Sequence, residues 1–98
     1  MNAGGQRQPE RRGYGVLGRV QGVGFRWWTR RAASELGLGG YVRNRADGSV
    51  EVQATGEPAK LDRFREMLSK GPAGSRVEAV VEVDIDVDTP TDVFYIKT

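Results

Sequence analysis

Residues 18–38 of this 98-residue chain read GRVQGVGFRWWTRRAASELGL, which predicts a strand, a glycine-rich loop and a helix in succession. Apolar residues then recur at the spacing of an amphipathic helix: Phe25, Trp28, Ala32 and Leu36. Gly37 is placed to end this helix in the left-handed conformation, with Leu38 making the accompanying apolar contact. The loop therefore joins the end of a strand directly to the N-terminus of a helix.

The flanking residues extend this unit into an alternating order of strands and helices. Strands are predicted at 14–20, 41–45, 49–55, 77–87 and 93–97, and a second helix begins at Pro58 and buries Leu61, Phe64 and Leu68. Asp47-Gly48 predicts a type I′ hairpin turn, which needs positive φ at both central residues. The order β-α-β-β-α-β plus a short terminal strand predicts an α+β fold, a ferredoxin-like sandwich whose antiparallel sheet carries both helices on one face.

Two segments are distinguished by their residue pattern. Residues 1–12 are polar and without periodicity, so we expect a disordered tail ahead of one domain at 13–98. Valine and isoleucine alternate with acidic residues through 81–88, which predicts a half-buried strand. Its wet side would place Glu82, Asp84 and Asp86 on the open face of the sheet.

The composition excludes several kinds of chemistry. The chain has neither His nor Cys, so disulfides, thiolate nucleophiles, histidine bases and Cys- or His-ligated metals are impossible. The net charge is +2, but residues 13–45 hold six arginines and one glutamate, a net charge of +5. This local excess predicts an anion site rather than a broad nucleic-acid surface.

Two nucleotide-related patterns in the first strand are weak. Gly13, Gly15 and Gly18 match G-x-G-x-x-G, but the pattern lies inside a strand instead of opening a helix, so we interpret these glycines as allowing close backbone approach. Residues 12–15 match the start of an RNA-recognition-motif consensus, yet that signature belongs on the third strand and its later aromatic positions are missing here.

The loop at 21–25 is a candidate anion cradle. Its glycines allow successive backbone N–H groups to converge, and the helix adds unpaired N–H groups and the positive end of its dipole. Arg26 stands in the first helical turn, where a cation near the positive end of the dipole destabilises the helix by about 0.3–1 kcal/mol. An anion bound by both the loop and the Arg26 guanidinium would reverse the sign of this effect. A solvated surface arginine is the alternative, and spacing leaves both open. Arg30, one turn later, is expected to be solvated.

Two further residues are singled out by their position. Asn44 is polar in a predicted strand, where asparagine is disfavoured, and it shares the face of Val42. Its amide then needs a partner, or it caps the hairpin; both interpretations stay open. Of the adjacent tryptophans, Trp28 fits the core stripe and Trp27 is expected at the rim.

These stretches together resemble the acylphosphatase family. The resemblance is carried by GRVQGVGFR at 18–26, LGLGGYVRN at 36–44, DGSVE at 47–51 and Gly56. It extends from about Tyr14 to the C-terminus and implies the ferredoxin-like sandwich already predicted. It also implies an enzyme that hydrolyses the carboxyl-phosphate bond of acyl phosphates to a carboxylate and inorganic phosphate.

The resemblance assigns roles to individual residues. The family's phosphate-binding arginine falls on Arg26 and its water-positioning asparagine on Asn44. Its phosphate-cradling loop falls on Gln21, Gly22, Val23, Gly24 and Phe25. No metal or other cofactor is implied. Tyr41 stands where tryptophan is common and Arg45 where some members carry threonine, which bears on the rate more than on the reaction type.

The expected partner is a small-molecule acyl phosphate, with no nucleic acid and no membrane. We expect a monomer, although a weak dimer is also compatible, and a cytoplasmic location, because no secretory segment or disulfide is present. Two other classes stay open. A ferredoxin-like RNA or protein adaptor would expose aromatic residues on the open sheet face, and a regulatory domain would bind phosphate without turnover.

Overall fold

The computed structural model describes residues 8–98 and contains five strands and two helices within that range. These are β1 (Glu10–Arg19), α1 (Phe25–Glu35), β2 (Gly39–Asn44), β3 (Val50–Gly56), α2 (Pro58–Lys70), β4 (Arg76–Val83) and β5 (Phe94–Ile96). The sheet order is β4-β1-β3-β2-β5; the first four strands pair antiparallel and β5 pairs parallel to β2. The predicted α+β ferredoxin-like sandwich is confirmed.

Both helices cover one face of the sheet, and the core lies between them. The strands contribute Tyr14, Val16, Val42, Val50, Val52 and Ala54, and the helices contribute Phe25, Ala32, Ala33, Leu61, Phe64 and Leu68. The Phe64 ring meets the Tyr14 and Phe94 rings edge to face, with centroids 6.3 and 6.1 Å apart. The apolar stripes predicted for both helices are therefore the surfaces that the fold buries.

The first strand begins earlier than the sequence predicts. Residues 10–12 pair with β3, so they belong to β1 and their assignment to a disordered tail is wrong. The Arg12 guanidinium adds a tie to α2, donating to Asp62 Oδ1 at 2.7 Å and to Glu10 Oε1 at 3.1 Å. Residues 1–7 of the predicted tail lie outside the described part of the chain.

The turn between β2 and β3 has a different geometry from the predicted one. The Gly48 N–H donates to the Arg45 carbonyl at 3.1 Å, and only Gly48, at φ 93°, has positive φ there. Since Asp47 keeps negative φ, the turn is a type I turn followed by a left-handed glycine, and the type I′ prediction is wrong.

After β4 the chain crosses the open face of the sheet to reach β5 at the opposite edge. We call this segment, residues 84–93, the strap. Gln53 of β3 is fully buried beneath it, donating to the Asp84 carbonyl at 2.9 Å and accepting from the Asp86 N–H at 3.1 Å. A Cβ at Gly13 would lie 2.9 Å from the Asp84 oxygen, so glycine here permits the close approach that the sequence analysis proposed.

The strap corrects the prediction for residues 77–87. The strand ends at Val83 because the chain turns there onto the open face, where Gln53 binds the Asp84 carbonyl and the Asp86 N–H; Ile85 and Val87 are exposed on the strap. Glu82 lies opposite Tyr14 and therefore faces the helix side, so its predicted place on the open face is wrong. Tyr14 itself is buried, which removes it as a base-stacking residue.

Candidate active site

The loop between β1 and α1 adopts a backbone conformation that favours glycine. Gly22 and Gly24 have φ of 77° and 78°, in the left-handed region that L side chains rarely occupy. An added Cβ at either position would meet nothing within 4 Å, so the backbone and not the space selects glycine. Positive φ at alternate residues turns neighbouring N–H groups toward one concave side.

The N-terminus of α1 is left open to a ligand. Gly24 is the N-cap, it supplies no side-chain cap, and the first turn carries no acidic residue. The first N–H groups of the helix therefore keep their hydrogen-bonding capacity, and the positive end of the dipole is not neutralised locally.

A cleft of about 270 Å³ brings the loop together with residues distant in the sequence. It is lined by Val20, Gly22, Gly24, Phe25, Arg26, Trp27, Asn44 and Ile96. Arg26 and Asn44 therefore line the same cleft as Gly22, Gly24 and Phe25 of the predicted phosphate loop. Val23 instead packs half-buried against the core, and Gln21 is directed elsewhere.

Arg26 is half-buried and has no internal anion. Within residues 8–98 its guanidinium forms no hydrogen bond or ion pair, whereas Arg12, Arg31 and Arg43 each have a carboxylate within 4 Å. A guanidinium presents up to five donors in a planar fork suited to phosphate oxygens. The cleft therefore holds a cation whose hydrogen-bonding capacity is available to a ligand.

Asn44 ends β2 on the helix side of the sheet. It pairs opposite Val50 in the same register that places Val42 opposite Val52, so its predicted parity with Val42 is confirmed. Its side chain is exposed in the cleft. The hairpin is capped instead by Asp47, whose Oδ1 accepts from the Ser49 N–H at 2.9 Å and hydroxyl at 2.6 Å; these bonds lower the pKa of Asp47.

The Gln21 side chain has a contact that the sequence analysis did not anticipate. Its Nε2 donates to the Arg45 carbonyl at 2.8 Å and to the Ser49 carbonyl at 2.9 Å. These carbonyls belong to the closing pair of the hairpin that begins one residue after Asn44. Gln21 therefore ties the loop 21–25 to the segment that carries Asn44, and only the tertiary arrangement reveals this.

Tyr41 and Arg45, the two residues that depart from the family pattern, differ in how they relate to the cleft. Tyr41 is buried on the open face, where its hydroxyl donates to Asp86 at 2.8 Å, so the sheet separates it from the cleft. Burial and the neighbouring carboxylate raise the pKa of Tyr41. Arg45 contacts the site through its backbone, since its carbonyl receives the Gln21 amide.

The fold and the cleft define a small ferredoxin-like domain with a cationic loop-and-helix site. The acylphosphatase family model matches residues 13–96. The chain is 52% identical over 88 residues to an acylphosphatase of Koribacter versatilis, covering 90% of this chain and 80% of that protein. The crystal structure of acylphosphatase from Bacillus subtilis superposes with a TM-score of 0.79 at 34% identity, covering 93% of this chain and 100% of that one.

A structure of an acylphosphatase from Coxiella burnetii is similar as well, with a TM-score of 0.80, 33% identity and coverage of 91% of this chain and 93% of that one. The chain belongs to the acylphosphatase family, which is a family of hydrolases. The family and the enzyme class predicted from the sequence are confirmed. No helix within residues 8–98 is long and apolar enough to cross a membrane.

Proposed function

We propose that this protein hydrolyses acyl phosphates in the cleft, with Arg26 and Asn44 as catalytic residues and the loop 21–25 as the phosphate cradle. The observation that carries the proposal is the shared cleft, in which an arginine without a carboxylate partner lies beside left-handed glycines and an exposed asparagine. The substrate is a small molecule, and the chain acts as a cytoplasmic monomer.

The phosphoryl group binds to Arg26 and to the loop amides. Charge-assisted hydrogen bonds of this kind contribute about 1.5–3 kcal/mol each. Phosphoryl transfer through a loose transition state spreads negative charge over the equatorial oxygens, so donors fixed around them stabilise the transition state directly. The left-handed glycines supply such donors without a side chain that would fill the concavity.

Asn44 positions the attacking water in line with the bond that breaks. Its amide offers both a donor and an acceptor, so it can hold a water oxygen in one orientation. The water oxygen attacks phosphorus, the bond to the bridging oxygen breaks, and its electron pair leaves with the carboxylate. The water proton goes to a phosphoryl oxygen, so the dianionic substrate gives one carboxylate and one dihydrogen phosphate.

The absence of histidine is compatible with this chemistry because the leaving group is weakly basic. A carboxylate has a pKa near about 4, so it departs without a general acid. Positioning and electrostatic stabilisation then carry the reaction, and both are within the reach of an arginine, an amide and backbone N–H groups.

The experiment measures hydrolysis of benzoyl phosphate and acetyl phosphate by the wild type and by Arg26→Ala, with and without a chelator. Turnover should be abolished in Arg26→Ala, and inhibition by inorganic phosphate should weaken. Arg63→Ala, which removes an exposed arginine of α2 outside the cleft, is the matched control and should keep turnover of both substrates. Near-wild-type turnover in Arg26→Ala would overturn the assignment.

Asn44→Ala separates water placement from phosphate binding. We expect kcat to fall by about 10²–10³, the effect of removing one transition-state hydrogen-bonding group, while phosphate still inhibits. An unchanged kcat would show that another group places the water. Phosphate binding by a wild type that has no turnover would instead identify a regulatory domain.

A further inference from the structure

Trp27 places a large aromatic surface beside the candidate active site. It is 68% exposed and lines the cleft that contains Arg26 and Asn44. It also lines a second depression of about 470 Å³, together with Arg30, Arg31 and Ser34. The indole is therefore the wall that the two concavities share.

The packing of the domain does not account for this indole. Trp28, its neighbour, packs against the core and against Phe25, with ring centroids 5.5 Å apart and ring planes tilted by 55°. The Arg30 guanidinium instead packs against the Trp27 indole, with its Cζ 5.6 Å from the ring centroid. Tryptophan is enriched at surfaces that contact a ligand or a partner, because its ring offers a large apolar face together with an N–H donor.

The position of Trp27 beside Arg26 determines which part of an acyl phosphate can contact the indole. In an acyl phosphate the carbonyl carbon is two bonds from phosphorus and the acyl substituent three. A phosphoryl group bound at Arg26 therefore leaves the substituent at the cleft wall. Among the lining residues Trp27 is the one that continues into the second depression.

The charge of the depression further restricts the ligand. Its lining supplies two guanidinium groups, one indole and one hydroxyl, and no carboxylate. Arg31 is partly engaged with Glu35 at 3.7 Å, whereas the Arg30 guanidinium lies against the indole. Such a surface favours a flat π-system that stacks on the indole and guanidinium planes.

We infer that Trp27, Arg30 and Ser34 form an acyl-group subsite and that Trp27 gives the enzyme a preference for acyl phosphates with an aromatic acyl group. This inference rests on the proposed function, because it takes the phosphoryl group to bind at Arg26. Trp27 is a specificity residue, so its loss affects substrates according to their acyl group and leaves the phosphoryl chemistry intact.

The test compares kcat/KM for benzoyl phosphate and acetyl phosphate in the wild type, Trp27→Ala and Trp27→Phe. An aromatic contact of this kind corresponds to about a twofold to tenfold effect, so Trp27→Ala should lower kcat/KM for benzoyl phosphate by that factor. Acetyl phosphate has only a methyl group to contact the indole, so its kcat/KM should change by less than about twofold. Trp27→Phe should restore most of the preference.

Two non-hydrolysable inhibitors give a readout that does not depend on turnover. Phenacylphosphonate and acetonylphosphonate carry a methylene group in place of the bridging oxygen. Trp27→Ala should weaken inhibition by the first more than by the second. Val87→Ala, which truncates an exposed apolar side chain of the strap across the sheet, is the matched control and should change neither.

The outcomes separate the two proposals. Turnover of acetyl phosphate and its loss in Arg26→Ala belong to the proposed function, whereas the ratio between benzoyl and acetyl substrates belongs to the subsite. A benzoyl preference that survives Trp27→Ala, or an equal loss with both substrates and both inhibitors, would overturn the subsite and leave the proposed function standing.

Discussion

Gln21→Ala tests whether the tie between the proposed phosphate loop and the β2–β3 hairpin is needed for catalysis. The substitution removes the amide that bridges the Arg45 and Ser49 carbonyls and leaves the backbone of the loop intact. Because Asn44 directly precedes this hairpin, a loosened hairpin moves the proposed water-positioning group relative to Arg26.

The cost in stability follows from the two hydrogen bonds. Each neutral bond contributes about 0.5–1.5 kcal/mol net, so the pair contributes about 1–3 kcal/mol. Both carbonyls keep a backbone donor, since Gly48 N–H reaches Arg45 and Arg45 N–H reaches Ser49, so no acceptor is orphaned. The lower half of the range applies, about 1–2 kcal/mol, or roughly 4–16 °C in Tm for a domain of this size.

The expected fall in kcat comes from displacement of Asn44 relative to Arg26. A misplacement of about 1 Å at a reacting group can cost up to about 10²-fold in rate, and we expect kcat to fall about tenfold. Inhibition by inorganic phosphate should change by less than about threefold, because Arg26 and the glycine amides remain. Steady-state assays with benzoyl phosphate give kcat, and competition with phosphate gives the inhibition constant.

Three variants make the test specific. Gln21→Glu keeps the length but sets a carboxylate against two carbonyl oxygens, so its loss should exceed that of Gln21→Ala. Tyr14→Phe removes a buried bond to the Leu61 carbonyl toward the other end of β1 and should lower Tm without lowering kcat. The double variant Gln21→Ala/Asn44→Ala should have the kcat of Asn44→Ala alone. An unchanged kcat in Gln21→Ala, or losses that multiply in the double variant, would refute the reasoning.

Two further predictions concern the open face. Burial raises the pKa of Glu51, but hydrogen bonds from Gln53 and Arg43 outweigh it, so the folded pKa lies below the ordinary value. Glu51 therefore stabilises the fold above its unfolded pKa of about 4.3, and this contribution is lost as the pH falls through the folded pKa. Glu51→Gln should flatten the acid side of the unfolding free energy measured in urea; an equally steep fall would contradict it. Gly13→Ala should lower the unfolding free energy by about 1–3 kcal/mol, since its Cβ would meet the Val83 carbonyl of β4 and the Asp84 carbonyl of the strap, both at 2.9 Å, and an unchanged melting curve would contradict that.

Element order could be predicted from the sequence because it depends on local periodicity. The stripe Leu61, Phe64, Leu68 identifies a helix and its buried face wherever that helix packs. The parity of Asn44 with Val42 likewise fixed its face before any strand partner was known. The residues proposed for catalysis came from a resemblance, and the structure adds that they share one cleft.

Features that depend on distant partners could not be predicted in this way. The alternation through Val87 continues past Val83, where β4 stops pairing with β1 and the chain turns onto the open face, so pattern alone extends the strand and misses the strap. The contact of Gln21 with the hairpin joins positions more than twenty residues apart, and no local signal records it. The turn type was missed because Asp47 is used as a cap at negative φ.

The lining of the cleft has a consequence for the pH dependence of the reaction. Arg26 is the one ionisable side chain among the described residues that line the cleft. The described lining therefore offers no carboxylate, thiol or imidazole that would give an acid or base limb to a pH–rate profile near neutrality. An inflection in kcat/KM at mildly acidic pH would report the second ionisation of the substrate's own phosphoryl group, so the substrate carries the pH sensitivity of this site.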